Sequence, residues 1–345
     1  SNGAMSMHYG ARSDTDLTVT LRTFLTALRD KDLSDKITFH TEDSSKMAFD
    51  IERFVDLSKA VETSDLDWDY IKRVGVTKVE ARILRYMADV ESHTIIYLRD
   101  ILSGHTAGDP EITQFMACWV YEETHHGRAL DRFLTACGYP PESGRYTKVL
   151  SNMGWQEHLE AFLTTSLPKL TPHFAATHMS WGAVDEMMAA SAYTMLAYYT
   201  KNEELSKLLL RMAKDERRHQ SFYYHQAEKR LAHPLAQAIC ATAMRVFWNP
   251  VGVGVGEENT LGLIGALLYD DERGREELGR MDRLMAKLPG LGWFQRASVE
   301  VGKAIEMFRS TEPDVARELD KSKGDTDRLR ADRLRNPEFA LTSAN

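Results

Sequence analysis

Two short runs decide how this chain is read: Trp119-Val-Tyr-Glu-Glu-Thr-His-His-Gly127 and Asp215-Glu-Arg-Arg-His219. Each holds a Glu-x-x-His pattern, Glu123 with His126 and Glu216 with His219. On an α-helix positions i and i+3 share a face, so each run presents a carboxylate and an imidazole to one point. A single match of this length carries little weight, and the surrounding periodicity gives the pair its meaning. Met116, Trp119, Val120 and Leu130 flank Glu123 at helical spacing, as Leu209, Met212, Ala213 and Tyr223 flank Glu216. Both motifs therefore belong to the apolar faces of long helices.

Each motif helix is preceded by another long helix with a glutamate among apolar residues. Glu91 has Leu84, Met87, Thr94 and Leu98 above and below it, and Glu186 sits among Met179, Gly182, Ala183, Ala189, Ala190 and Tyr193. Glu123 follows Glu91 by 32 residues and Glu216 follows Glu186 by 30. Two antiparallel pairs would then set their carboxylates at the same depth. A buried carboxylate needs a partner. Two divalent cations offset the cost of gathering four carboxylates and two imidazoles by neutralising and ligating them. The ordinary alternatives are solvated Glu–His pairs on two surface helices, and a Glu91 satisfied by Arg128 or Arg132. Asp185 is a rival to Glu186, although it points about 100° away around the helix. His93 faces away from Glu91, and His158, His173, His178, His225 and His233 belong to no second motif, so they read as surface or core residues.

Outward from the motifs, apolar residues recur mainly at helical spacing and alternating β-branched runs are nearly absent. The four long helices are expected over about 76–102, 111–136, 182–200 and 202–231. The stretch 104–110 separates the first pair, and Lys201-Asn202 makes a tight hairpin of the second. The region 139–180, with Pro140, Pro141, Pro168 and Pro172, reads as a crossover with shorter helices. Two helices are expected within 14–64, and packing helices over about 232–247, 258–288 and 294–309. Val251-Gly-Val-Gly-Val-Gly256 follows a helix and an Asn-Pro, not a strand, so it is a turn and not a dinucleotide loop. In domain terms, 1–13 is a tag scar and N-terminal arm, 14–310 a single helical domain with its metal-binding core at about 76–231, and 311–345 a charged C-terminal tail.

With these residues in view, the chain resembles the ferritin-like di-iron carboxylate proteins, whose ligands are one Glu from each of two helices and a Glu-x-x-His from each of the other two. Within them it is most similar to the soluble acyl-carrier-protein desaturases, which show Glu-Glu-x-x-His-Gly and Asp-Glu-x-Arg-His runs at these places. The likeness spans about 76–250. It implies an all-α fold, a ferritin-like four-helix bundle with a crossover connection and additional packing helices. It also implies a pair of iron ions held by Glu91, Glu123, His126, Glu186, Glu216 and His219, with Asp215 orienting a ligand imidazole, and O2 as co-substrate. The implied activity is oxidation of an acyl chain borne by an acyl carrier protein, with electrons from a ferredoxin-type donor, in a homodimer. The chain departs from the desaturases after Glu186, where Ala189 and Ala190 stand in place of a threonine. That departure favours the alternative of hydroxylating a specialised-metabolism substrate, itself carrier-bound in one version. His125 stands where an arginine is common, and Met212 where N-oxygenases carry an extra histidine. Two further alternatives are an iron-handling ferritin-like protein and a radical-generating subunit with Tyr193 or Tyr223 beside the metals.

Composition narrows the remaining classes. At 345 residues, 43% hydrophobic and 27% charged, the chain has the make-up of a globular protein. Its 43 Lys and Arg against 51 Asp and Glu leave a net charge of −8, contrary to the cationic surface that nucleic-acid binding needs. No apolar run reaches the roughly 18 residues of a membrane span, so membrane insertion is not expected. Cys118, Cys137 and Cys240 are too scattered for a disulfide framework, in keeping with a cytoplasmic setting. Arg211, Lys214, Arg217, Arg218, Lys229 and Arg230 form a basic stretch that reads as a solvated face or a docking surface for an acidic partner.

Overall fold

The computed structural model describes residues 49–102, 104–141, 171–250, 259–324 and 333. Among them the chain is all-α, with eleven helices and no strand. Two short helices, α1 (Ile51–Leu57) and α2 (Trp68–Val74), lead into four long ones: α3 (Lys78–Leu102), α4 (Pro110–Ala136), α5 (Ala175–Tyr199) and α6 (Glu203–Arg230). Five more follow: α7 (Pro234–Val246), α8 (Thr260–Leu268), α9 (Glu272–Ala286), α10 (Arg296–Thr311) and α11 (Pro313–Gly324).

The long helices start where their caps dictate. Thr77 and Glu80 form a capping box before α3, with the Glu80 amide donating to the Thr77 hydroxyl and the Thr77 amide donating to the Glu80 carboxylate. Asp109 accepts from the amides of Glu111 and Ile112, and Pro110 sits where a missing N–H costs nothing. Asn202 accepts from the Leu205 amide, which confirms the tight α5–α6 hairpin. Pairing along the bundle is antiparallel: Arg85 meets Asp131 between α3 and α4, Thr194 meets Arg217 between α5 and α6, and Asp109 meets Arg230 between α4 and α6. Thr106, just before α4, bonds His178 in the second turn of α5. The starts of α4 and α5 thus share one end of the bundle, and the two run parallel. The end of α4 and the start of α5 therefore lie at opposite ends of a 27-residue helix, about 40 Å at 1.5 Å per residue.

Helix α5 is buried almost all round, as its Ala-, Met- and Tyr-rich sequence demands. Its inner face meets the other three long helices, and α7, α8 and α9 cover its outer face. Glycine permits its close approach to α6: a Cβ on Gly182 would stand 2.4 Å from the Tyr223 ring. One apolar core runs from Phe54 to Leu319. No helix among the described residues is long and apolar enough to cross a membrane.

Three expectations need adjustment. Helix α5 begins at Ala175 rather than near 182, because Pro172 sits in a 3-10 turn capped by Thr171 that feeds directly into it. The segment 258–288 is two helices rather than one, since the Asp271 side chain caps the Gly274 amide and starts α9 anew. The basic stretch is largely spent within the fold: Arg211 pairs with Asp65, Lys229 with Glu111 and Arg230 with Asp109. The beginning of the tail is helical, as α11. Of the span 14–64 expected to hold two helices, the described part, 49–64, carries α1; residues 1–48, 142–170 of the crossover, the expected turn at 251–256 and, apart from Arg333, the tail after 324 lie outside the described residues.

Candidate metal centre

Two residue groups meet at mid-bundle: Glu91, Glu123, His126 and Glu216, and Glu123, Glu186, Glu216 and His219. Within each group the ligand-type atoms lie within 4.8 Å of one another, and all six residues are buried. Glu123 of α4 and Glu216 of α6 belong to both groups. Glu91 of α3 stands only on the His126 side and Glu186 of α5 only on the His219 side. His126 Nδ1 lies 3.0 Å from Glu216 Oε1 and 3.4 Å from Glu123 Oε2. His219 Nδ1 lies 2.9 Å from Glu216 Oε2, 3.0 Å from Glu123 Oε1 and 3.5 Å from Glu186 Oε2. The arrangement is nearly two-fold symmetric, because each hairpin contributes one plain glutamate and one Glu-x-x-His.

Both imidazoles are oriented from behind. His126 Nε2 lies 3.3 Å from Asp215 Oδ2, and His219 Nε2 lies 2.7 Å from Glu122 Oε2. Ionised carboxylates only accept, so Nε2 carries the donated proton and Nδ1 is turned toward the glutamates. The straps cross between helices: Asp215 of α6 holds the histidine of α4, and Glu122 of α4 holds that of α6. Arg218 binds both outer carboxylates, at 2.8 Å each, and its guanidinium lies over the Phe54 ring. The plain glutamates are anchored too. Trp119 Nε1 donates to Glu186 Oε1 at 2.9 Å, and the Tyr193 hydroxyl donates to Glu91 Oε1.

Burial pushes Glu91 and Glu186 well above the usual carboxylate value, and repulsion from the neighbouring glutamates adds to it. Glu123 goes the other way: burial opposes ionisation, but the neighbouring Glu91, the close His126 imidazole and the charge of His219 prevail. His126 and His219 are raised against the effect of burial by the carboxylates around them. Meanwhile His126 Nδ1, Glu123 Oε1 and Glu216 Oε1 are buried without any hydrogen bond. Buried polar atoms are seldom left so. Cations between the two histidines would satisfy all three, and a carboxylate–imidazole set of this kind suits first-row divalent metals. The residues present fit such a pair.

All six ligands expected from the sequence are brought together, and Asp215 stands behind one of them. Asp185 joins neither group: its Oδ1 accepts from Trp248 Nε1 at 3.2 Å, and burial raises its carboxyl to about 8. Arg132 lies over Trp68 and Arg128 is exposed, while Glu91 takes its bond from Tyr193. Sequence reasoning misses Glu122, Arg218 and the anchoring bonds of Tyr193 and Trp119. One signal exists for Glu122, an acidic residue immediately before the motif glutamate in both runs.

Two cavities meet beside Glu91. One, of 190 Å³, is lined by Glu91, Glu123, Glu186 and Glu216 together with Tyr97, Trp119 and Asp185. The other, of 60 Å³, is almost wholly apolar and leads from Tyr193 toward Leu261, Ile264 and Val301. Val90, Glu91 and Ala189 line both.

No protein-family model, curated protein or solved structure matches this chain. The all-helical bundle with its buried Glu/His cluster is compatible with a ferritin-like fold.

Proposed function

We propose that this protein is a ferritin-like di-iron, O2-dependent oxidase acting on an acyl chain, an acyl-carrier-protein desaturase or a close relative. The observation that carries the reading is the pair of four-residue groups sharing Glu123 and Glu216, each completed by one histidine and one further glutamate. Two iron ions bound there would reduce O2 and supply the oxidising power to take hydrogen from an unactivated C–H bond. The chain's own residues set the conditions. Glu123 and Glu216 lie between the two positions and serve both. Asp215 and Glu122 fix the imidazoles, and Tyr193 and Trp119 restrain the outer glutamates. Val90, Ala189, Met188 and Ile264 keep water from the substrate side. An apolar cavity passing Glu91 suits a hydrocarbon segment held alongside the metals. A carrier protein bearing the substrate, a ferredoxin-type electron donor and a homodimeric state complete the proposal.

A second reading, hydroxylation of a specialised substrate, is favoured by Ala189, which lines both cavities where the desaturases place a hydroxyl residue one turn after the glutamate. One experiment separates the readings. The chain is loaded anaerobically with ferrous iron, its iron content is measured, and it then turns over with O2, a reductant and a carrier-bound saturated acyl chain. Two irons per chain and a product lighter by two hydrogens are expected, whereas a gain of one oxygen selects hydroxylation. Uptake of iron with no change in any organic substrate points to iron handling, and failure to take up iron overturns the proposal.

A further inference from the structure

Each outer glutamate turns one oxygen toward the metal centre and keeps the other in a hydrogen bond. Glu186 Oε2 lies 3.5 Å from His219 Nδ1, while its Oε1 accepts from the Trp119 indole. Glu91 Oε2 lies 4.0 Å from His126 Nδ1, while its Oε1 accepts from the Tyr193 hydroxyl. The two tethers differ in what stands behind them. Trp119 lines the 190 Å³ cavity. Tyr193 lines the 60 Å³ apolar one, beside Met87, Met188, Ala192, Ile264 and Val301. Of the two donors, only Tyr193 reaches the apolar cavity.

Tyr193 is therefore shared between two sites: its ring is a wall of the cavity, and its hydroxyl holds a candidate metal ligand. When the tether breaks and the ring turns away, the cavity loses that wall. A guest that fits the cavity as it stands thus binds the tethered arrangement better, and such a difference in affinity is what shifts an equilibrium. Held by its Oε1, Glu91 keeps Oε2 on the His126 side, where a cation would meet it. We propose that Tyr193 is a positioning residue that couples the apolar cavity to the metal centre. An apolar group seated in the cavity keeps Glu91 tethered and tightens the cation on the His126 side. By linkage, a bound cation tightens the apolar group by the same factor. The inference rests on the oxidase reading for its metal pair, and within that reading it makes the hydrocarbon part of the substrate a regulator of the centre.

The test uses two probes without redox chemistry on the full-length chain, zinc for the cation and xenon under pressure for the apolar group. Dry apolar cavities take up xenon, which forms no hydrogen bond that could act on Glu91 directly. Competition with a chromophoric chelator measures zinc affinity, and xenon NMR measures xenon binding. Saturating xenon is expected to tighten one of the two zinc ions about fivefold, the factor of one ordinary hydrogen bond, and saturating zinc to tighten xenon equally. Tyr193→Phe keeps the ring and removes the tether, so xenon should still bind and the coupling should vanish. Ala192 lines the apolar cavity and not the larger one, so Ala192→Leu should make zinc affinity indifferent to xenon. Absence of coupling in the unaltered chain overturns the inference, as does coupling that survives either substitution, or xenon that weakens zinc. Where Tyr193→Phe does not fold, the unaltered chain and Ala192→Leu decide. A chain that binds zinc at both positions without coupling sinks this inference alone. One that binds no zinc sinks the oxidase reading together with it.

Discussion

A ligand imidazole is held in line by the group on its far nitrogen, and here that group comes from the opposite motif helix. Glu122 accepts from His219 at 2.7 Å and is itself held by Arg218 and by the Lys59 amide. Replacing it by Gln keeps the shape but removes the charge that fixes the donated proton on Nε2. Glu122→Gln is expected to weaken divalent-metal binding about 10- to 100-fold, the usual cost of losing such a partner, with little change in helix content. Competition against a chromophoric chelator measures the first and circular dichroism the second. Unchanged affinity would show that Glu122 is only half of a salt bridge. The six candidate ligands are legible in the sequence because a Glu-x-x-His repeated on two apolar faces buries charge at a cost that cations can offset. Glu122 is not, because one step along a helix turns a side chain by about 100°, which on an isolated helix points toward solvent. Only the antiparallel packing of α4 on α6 turns that direction toward His219. Tyr193 reads in the sequence as a core residue or a radical candidate for a similar reason: its acceptor lies on α3, 102 residues away in sequence.

At the level of elements, helical periodicity discloses α3, α4 and α6 to within two residues, since each has one apolar and one polar face. Helix α5 has no polar face, so its start has to be judged from the prolines, and Pro172 belongs to the turn that opens it rather than to a break before it. What no single helix displays is the fit between two of them. Gly182 lies against Tyr223, whose ring is wedged between Phe115 and Trp119. Gly182→Ala should raise helix propensity by about 0.5–1 kcal/mol but force a methyl into that ring, which typically costs about 1–3 kcal/mol. The net effect is expected to be destabilising, read as a lower urea midpoint. Gly302→Ala, on α10 with open space around the added carbon, provides the control and should gain stability from propensity alone. If both substitutions stabilise, the α5–α6 contact is looser than the structure describes.

The bundle as a whole closes over charges that its apolar core could not hold without compensation, so its stability should depend on both protons and metal. In the metal-free chain Glu91, Glu186, His126, His219 and Asp185 all bind protons more tightly folded than unfolded. Stability from such groups is complete below their unfolded values, 3.8 to 6.5, and is lost as pH rises through their folded ones. Glu123, Glu122 and Asp215 are depressed and act oppositely, their share being lost as pH falls from 4.5 and below. That loss lies below the neutral and alkaline range, where the five raised groups set the slope. The metal-free protein should therefore melt at progressively lower temperature as pH rises from 6.5 past about 8, where Asp185 ionises. Divalent metal displaces the protons at the glutamates and imidazoles, so its binding tightens over the same range. The gap in melting temperature between metal-loaded and metal-free chains should accordingly widen with pH, and metal addition in weak buffer should release protons. Calorimetric melts at stepped pH, with zinc in place of iron to avoid redox chemistry, measure the first, and a pH indicator the second. A gap that narrows toward alkaline pH would mean that the glutamates are already ionised in the metal-free core, and that something other than a cation compensates them.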